Sequence, residues 1–286
     1  MAFQGIGQSS AKMGIFIELS SFVFVMESTD QLGNRIRLNK IPKRIVSLVP
    51  SQSEFLWDLG LQTELIGITK FCVHPEDMFK SVMRVGGTKN PDLEKIRSLQ
   101  PDLIIGNKEE NEKTFIEQLS REFPVWMSDV NTPEQALDMM HRVSNMLGKE
   151  TEGNKIIEAS KQSLNKSKGL FQGESVAYFI WNEPYHFAGS ETFIHSVLRH
   201  AGFKNVFFDR PRYPALRLED LGALHPDFCF LSSEPFPFSI EHAERVQQAL
   251  PKTKVVFVDG ENFSWYGSRL IYLHGYLTQL KTKLYA

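Results

Sequence analysis

LEKIRSLQPD at residues 93–102 and LEDLGALHPD at residues 218–227 align without a gap, and each leads straight into an apolar run, LIIG after the first and FCFL after the second. A short amphipathic helix, a Pro-Asp turn and a strand therefore occur twice in the same order. A repeat on this scale predicts two similar lobes rather than one continuous sheet. A looser echo upstream, Ser53-Glu54 before a helix ending at Gly60 and Ser190-Glu191 before one ending at Gly202, points the same way.

Around the first copy, RIVSLVPS from Arg44 reads as a strand ending at Pro50-Ser51. SQSEFLWDLGL follows as a helix capped by Ser51 or Ser53 and ended by Gly60, and ELIGIT as a second strand. Strand, helix and strand this close together make a parallel unit with a right-handed crossover. PDLIIGN, EENEKTFIEQLSRE and FPVWMSD extend the pattern, while VGGT at residues 85–88 opens no helix and reads as a turn. Residues 133–168 change character: Ala136, Met139, Met140, Val143, Leu147, Ile156, Ile157 and Leu164 recur at helical spacing behind Pro133, with Gly148 and Gly153 as candidate breaks. Strands and helices alternate again from SVAYFIW to residues 268–284. The predicted class is α/β, with two Rossmann-like α/β lobes joined by a long rigid helix. Residues 1–29 form an N-terminal extension, 30–131 the first lobe, 132–169 the interlobe helical segment and 170–286 the second lobe.

Composition narrows the function. With 42% hydrophobic and 23% charged residues over 286 positions the chain is globular, which excludes disorder, collagen and coiled coil. A net charge of −2 leaves no broad basic surface for a phosphate backbone, so nucleic acid is excluded as a partner. Cys72 and Cys229 lie far apart in apolar stretches and read as buried thiols. No phosphate-binding loop, dinucleotide fingerprint, zincin motif or nucleophile elbow occurs. Residues 13–26 (MGIFIELSSFVFVM) resemble a secretory signal poorly, because Glu18 interrupts the apolar run and only Lys12 precedes it. As written, the chain reads as cytoplasmic, with a periplasmic or other extracytoplasmic location as the alternative.

Ligands of open α/β sheets bind beyond the carboxyl ends of the strands. The residues just past the predicted strands are Phe71 and His74 in the first lobe and Trp181, Tyr185, His186, Tyr213, Phe236, Asn262 and Trp265 in the second. These loops hold much of an aromatic surplus of 12%, with 22 Phe, which suits a large, flat, partly apolar ligand. For Phe236 and its neighbour Phe238 a plain role as loop staples stands equally. His74 and His186 both fall in these loops and together could reach a metal centre, which with Glu183 or Glu234 would be that of an enzyme.

The stretch from about residue 30 to 284 resembles the helical-backbone metal receptors. These are class III periplasmic binding proteins that serve ABC importers of cobalamin, haem and ferric siderophores. The resemblance rests on PKRIVSLVPSQSEFLWDLGL, the DLEKI-SLQPDLIIG element and its partner LEDLGALHPD, and the helical interlobe segment. VGGTKNPD, NKEEN, SEPFPF and DGENFSWYGSRL place it nearest the cobalamin-type branch. It implies non-catalytic binding without an intrinsic cofactor, in a monomer whose lobes close only modestly. A tetrapyrrole-like ligand is implied, a corrinoid first, with haem or a ferric siderophore second, and His74 or His186 is the expected axial ligand to its metal. It also implies that Glu94 and Glu219 dock against arginines of an ABC permease. Two other readings remain at this point: an intracellular corrinoid- or haem-binding protein without a transporter, and a metal-dependent enzyme using His74 and His186.

Overall fold

The computed structural model describes residues 26–286; all of the apolar 13–26 stretch except Met26 lies outside the described residues. Strands β1 (Met26–Thr29) and β2 (Arg35–Leu38) pair as an antiparallel hairpin. The first lobe follows as β3 (Ile45–Ser47), α1 (Pro50–Asp58), β4 (Leu65–Ile68), α2 (Glu76–Ser81), β5 (Met83–Arg84), α3 (Leu93–Leu99), β6 (Leu103–Asn107), α4 (Lys113–Leu119) and β7 (Val125–Ser128). Its strands lie parallel in the order β5-β4-β3-β6-β7. Helices α5 (Pro133–Met146) and α6 (Glu150–Ser167) lead to the second lobe. There β8 (Ser175–Trp181), β9 (His186–Phe187), α7 (Phe193–Ala201), β10 (Lys204–Asn205), α8 (Leu218–Leu221), β11 (Phe228–Ser232), α9 (Ile240–Ala249), β12 (Lys254–Val258), α10 (Glu261–Ser264) and α11 (Leu273–Tyr285) follow in turn. The parallel order is β10-β8-β11-β12, with β9 antiparallel against β8.

The repeat is a device that starts a sheet. After α3 the chain turns through Gln100 (φ 44°), and after α8 and the turn that extends it through His225 (φ 45°). Buried Pro101 and Pro226 follow, and then the two aspartates. Asp102 accepts hydrogen bonds from the backbone N–H of Lys43 (3.0 Å) and Arg44 (2.8 Å), and Asp227 from that of Ser175 (2.7 Å). Each carboxylate thus ties the start of β6 or β11 to the start of its parallel partner, β3 or β8.

At α1 the local reading needs correction. Pro50 occupies the first helical turn, so Val49 becomes the N-cap and no side chain caps the helix. Among the described residues the Ser51 hydroxyl finds no hydrogen-bond partner, and that of Ser53 donates back to the Val49 carbonyl (2.8 Å). The interlobe segment is helical with a break at Gly148 (φ +65°). Gly153 stays inside α6, where a Cβ would run into the Ser144 side chain of α5; its absence lets the two helices cross closely.

One apolar core runs through both lobes and the helices between them, joining Val49 and Phe55 to Met139, Met140 and Leu164 and on to Tyr178, Phe230 and Phe263. Lobes that share a packed core resist free hinge rotation. Most of the aromatic surplus is spent on such packing rather than on the cleft. Phe179, Tyr185, Phe187, Phe207 and Phe238 form a separate core in the second lobe, with Phe179 edge-to-face against Tyr185 (5.6 Å between centroids), Phe187 (4.5 Å) and Phe238 (6.0 Å).

Candidate functional site

The carboxyl ends of both parallel sheets supply the loops that meet between the lobes, and polar side chains join them. From the loop after β6, Glu109 accepts from the Tyr213 hydroxyl and lies 3.0 Å from Arg212 Nη2, both residues of the second lobe. Its neighbour Glu110 accepts from the Tyr266 hydroxyl (3.3 Å). That hydroxyl also takes a long hydrogen bond from Gln52 Nε2 (3.5 Å), whose other partner is Ser128 Oγ. On the α1 side, Arg269 donates twice to Glu54 (3.0 and 2.7 Å) and pairs with Glu261 (2.7 Å), its guanidinium 4.7 Å from the Trp265 ring centroid. His74 Nε2 reaches across to Glu261 Oε1 (3.4 Å). A cavity of about 510 Å³ opens beside the Glu109 contacts, lined by Lys108, Glu109, Asp129 and Asn131 of the first lobe and Glu191 and Arg212 of the second.

Crowding of carboxyls shapes the electrostatics. Burial first, then the charges of Glu109 and Glu234, pushes Glu110 up to about 8, against the opposing hydrogen bond from Tyr266. Burial also raises Glu234, opposed by the Ser264 hydroxyl (2.6 Å), and raises Glu261, opposed by Arg269. Burial likewise lifts the free thiols of Cys72 to about 11 and Cys229 to about 12, so both remain protonated packing groups.

The candidates named from sequence divide. Tyr213, His74 and Trp265 lie where the lobes meet, Trp265 buried and its ring 6.1 Å from that of His74. Phe71 stands exposed at the first-lobe rim beneath Lys70. Tyr185 is withdrawn from the cleft wall, because it belongs to the second-lobe core. Phe236 packs on Trp181, Phe238 and His242 of its own lobe, the staple arrangement, and Trp181 is held edge-on by it (5.6 Å). Asn262 donates to Asp259 (2.7 Å), and the His186 ring turns to the Pro184 carbonyl (2.9 Å). Among the described residues no group of three or more His, Cys, Asp or Glu side chains forms a metal-holding cluster. Sequence reasoning named Glu234 only as a carboxylate for a metal centre, did not single out Glu109, Glu110, Arg212 or Tyr266, and missed Glu54, Gln52 and Arg269 as interlobe groups. The signal it passed over was the pair of adjacent carboxylates directly after a strand.

The sequence profile of a family described as periplasmic binding protein matches residues 45–259. Among curated proteins, the chain is 27% identical over 218 residues to an uncharacterised ABC transporter substrate-binding lipoprotein of Bacillus subtilis, covering 72% of this chain and 68% of that one. It is 23% identical to the vitamin B12-binding protein of Pectobacterium carotovorum over 239 residues, covering 81% of this chain and 85% of that protein. Its fold is similar to that of the petrobactin-binding protein of Bacillus subtilis (TM-score 0.75, 18% identity, 92% of this chain and 99% of the other). These matches overturn the cytoplasmic reading: the family is described as periplasmic, and one of these relatives is a lipoprotein of an ABC transporter.

Proposed function

The chain belongs to the periplasmic binding protein family, whose members bind rather than catalyse, and on that premise we propose that it is the substrate-binding component of an ABC importer, taking a corrinoid or related metal chelate between its lobes. The observation that carries this reading is the meeting of the two sheets' carboxyl ends, where Glu109 and Glu110 of one lobe face Tyr213 and Tyr266 of the other. The vitamin B12-binding relative supports the corrinoid, and the petrobactin-binding fold neighbour keeps a ferric siderophore as the second reading. Glu94 and Glu219, at equivalent positions of the repeat and with side chains 85% and 77% exposed, offer one carboxylate per lobe to a permease. Their pairings with Arg97 (2.6 Å) and Arg217 (4.0 Å) are solvent-screened surface ion pairs and exchange readily for arginines of a partner. Titrating the protein with cyanocobalamin, haemin and a ferric siderophore while following tryptophan fluorescence tests the ligand. Saturable quenching is expected with cyanocobalamin; the absence of saturation with all three would remove the proposal.

A further inference from the structure

Around the cleft floor, hydrogen-bond acceptors outnumber donors. The two cations that bridge the lobes are committed, Arg212 to Glu109 (3.0 Å) and Arg269 to Glu54 and Glu261 (2.7 Å each). Glu110 and Glu234, close enough to act on each other, are met by neutral donors: Glu110 by Tyr266 (3.3 Å), Glu234 by Ser264 (2.6 Å) with the Trp265 indole beside it. Lys89, a cation whose charge acts on Glu110, already donates to the Glu109 carbonyl (2.6 Å). The other charged or titratable groups facing Glu110 are Glu109, Tyr213, Tyr266 and the Cys72 thiol.

Gln52 supplies an independent sign. It is 1% exposed, and its amide nitrogen is spent on the hydroxyls of Ser128 and Tyr266, the second being the same hydroxyl that donates to Glu110. Its Oε1 is buried and finds no hydrogen-bond partner among the described residues. A buried acceptor left unpaired is costly, and native proteins leave few of them. Glu110 relieves its own crowding by keeping its proton below about 8; the Gln52 carbonyl has no such recourse. A ligand that carries N–H groups offers these acceptors the donors they lack. One fringed with carboxylates adds negative charge to a poorly solvated region that already repels it.

Resting on the corrinoid reading above, we propose that Gln52, Glu110 and Glu234 set the ligand class: a chelate with an uncharged, N–H-rich rim, such as the carboxamide-fringed corrinoid, in preference to one fringed with carboxylates, such as haem or ferric citrate. Specificity of this kind comes as much from repelling the wrong ligand as from holding the right one. The test is calorimetric titration of the parent and of Glu110→Gln/Glu234→Gln with cyanocobalamin, haemin and ferric citrate, with melting curves as the control for folding. The parent should bind cyanocobalamin at least about tenfold more tightly than either anionic chelate, and the double variant should narrow that gap to about threefold or less. An anionic chelate bound as tightly as cyanocobalamin by the parent, or a gap unchanged in a variant that melts normally, overturns this inference and leaves the cleft-binding reading standing. No saturable binding of any of the three sinks both. If the double variant does not fold, Glu234→Gln alone is read by the same criteria.

Discussion

Glu110 carries the clearest consequence at the scale of single residues. Its carboxyl is lifted from an ordinary 4.5 to about 8 in the folded protein, so between those values the unfolded chain has lost a proton that the folded chain keeps. Stability therefore falls as pH rises through that window, and the contribution levels off above about 8. Glu110→Gln should flatten this slope, which urea denaturation of parent and variant across the window will read; parallel slopes would contradict it. Arg269 is the opposite case, a largely buried cation holding two carboxylates. Arg269→Ala leaves Glu54 and Glu261 uncompensated and should cost about 3–5 kcal/mol. Arg217→Ala, on a fully exposed and solvent-screened pair, should leave the urea midpoint unchanged.

At the scale of elements, the repeat matters because its aspartates tie strand starts together. Asp102→Ala and Asp227→Ala each leave two backbone or hydroxyl donors to water, and each should lower stability by about 0.5–1.5 kcal/mol in denaturant titrations, by similar amounts because the roles match. This much was readable from residue order, since a helix, a Pro-Asp turn and a strand are contiguous and their signals local. Interlobe pairs were not. Glu54 and Arg269 stand 215 positions apart, and neither falls at a spacing that announces the other. The aromatic surplus misled for a related reason: an aromatic side chain advertises area to bury but not where. Tyr185 and Phe187 flank and enter a strand only two residues long, too short to show the alternation that marks a core face.

For the whole molecule, the shared core and the paired carboxylates outside it describe a receptor whose two lobes are held at nearly fixed separation, each presenting an equivalent exposed Glu. Glu94→Lys with Glu219→Lys should leave ligand affinity in solution unchanged and abolish uptake in cells carrying the cognate permease. Uptake unaffected by both reversals would assign docking elsewhere. The central claim, that the ligand sits between the lobes, is tested most directly by the crystal structure of the protein saturated with cyanocobalamin. The corrin ring should lie in the cleft, with its carboxamides within hydrogen-bond reach of Glu110 and Gln52; a corrinoid bound outside the cleft, or crystals that take up none, would contradict the account.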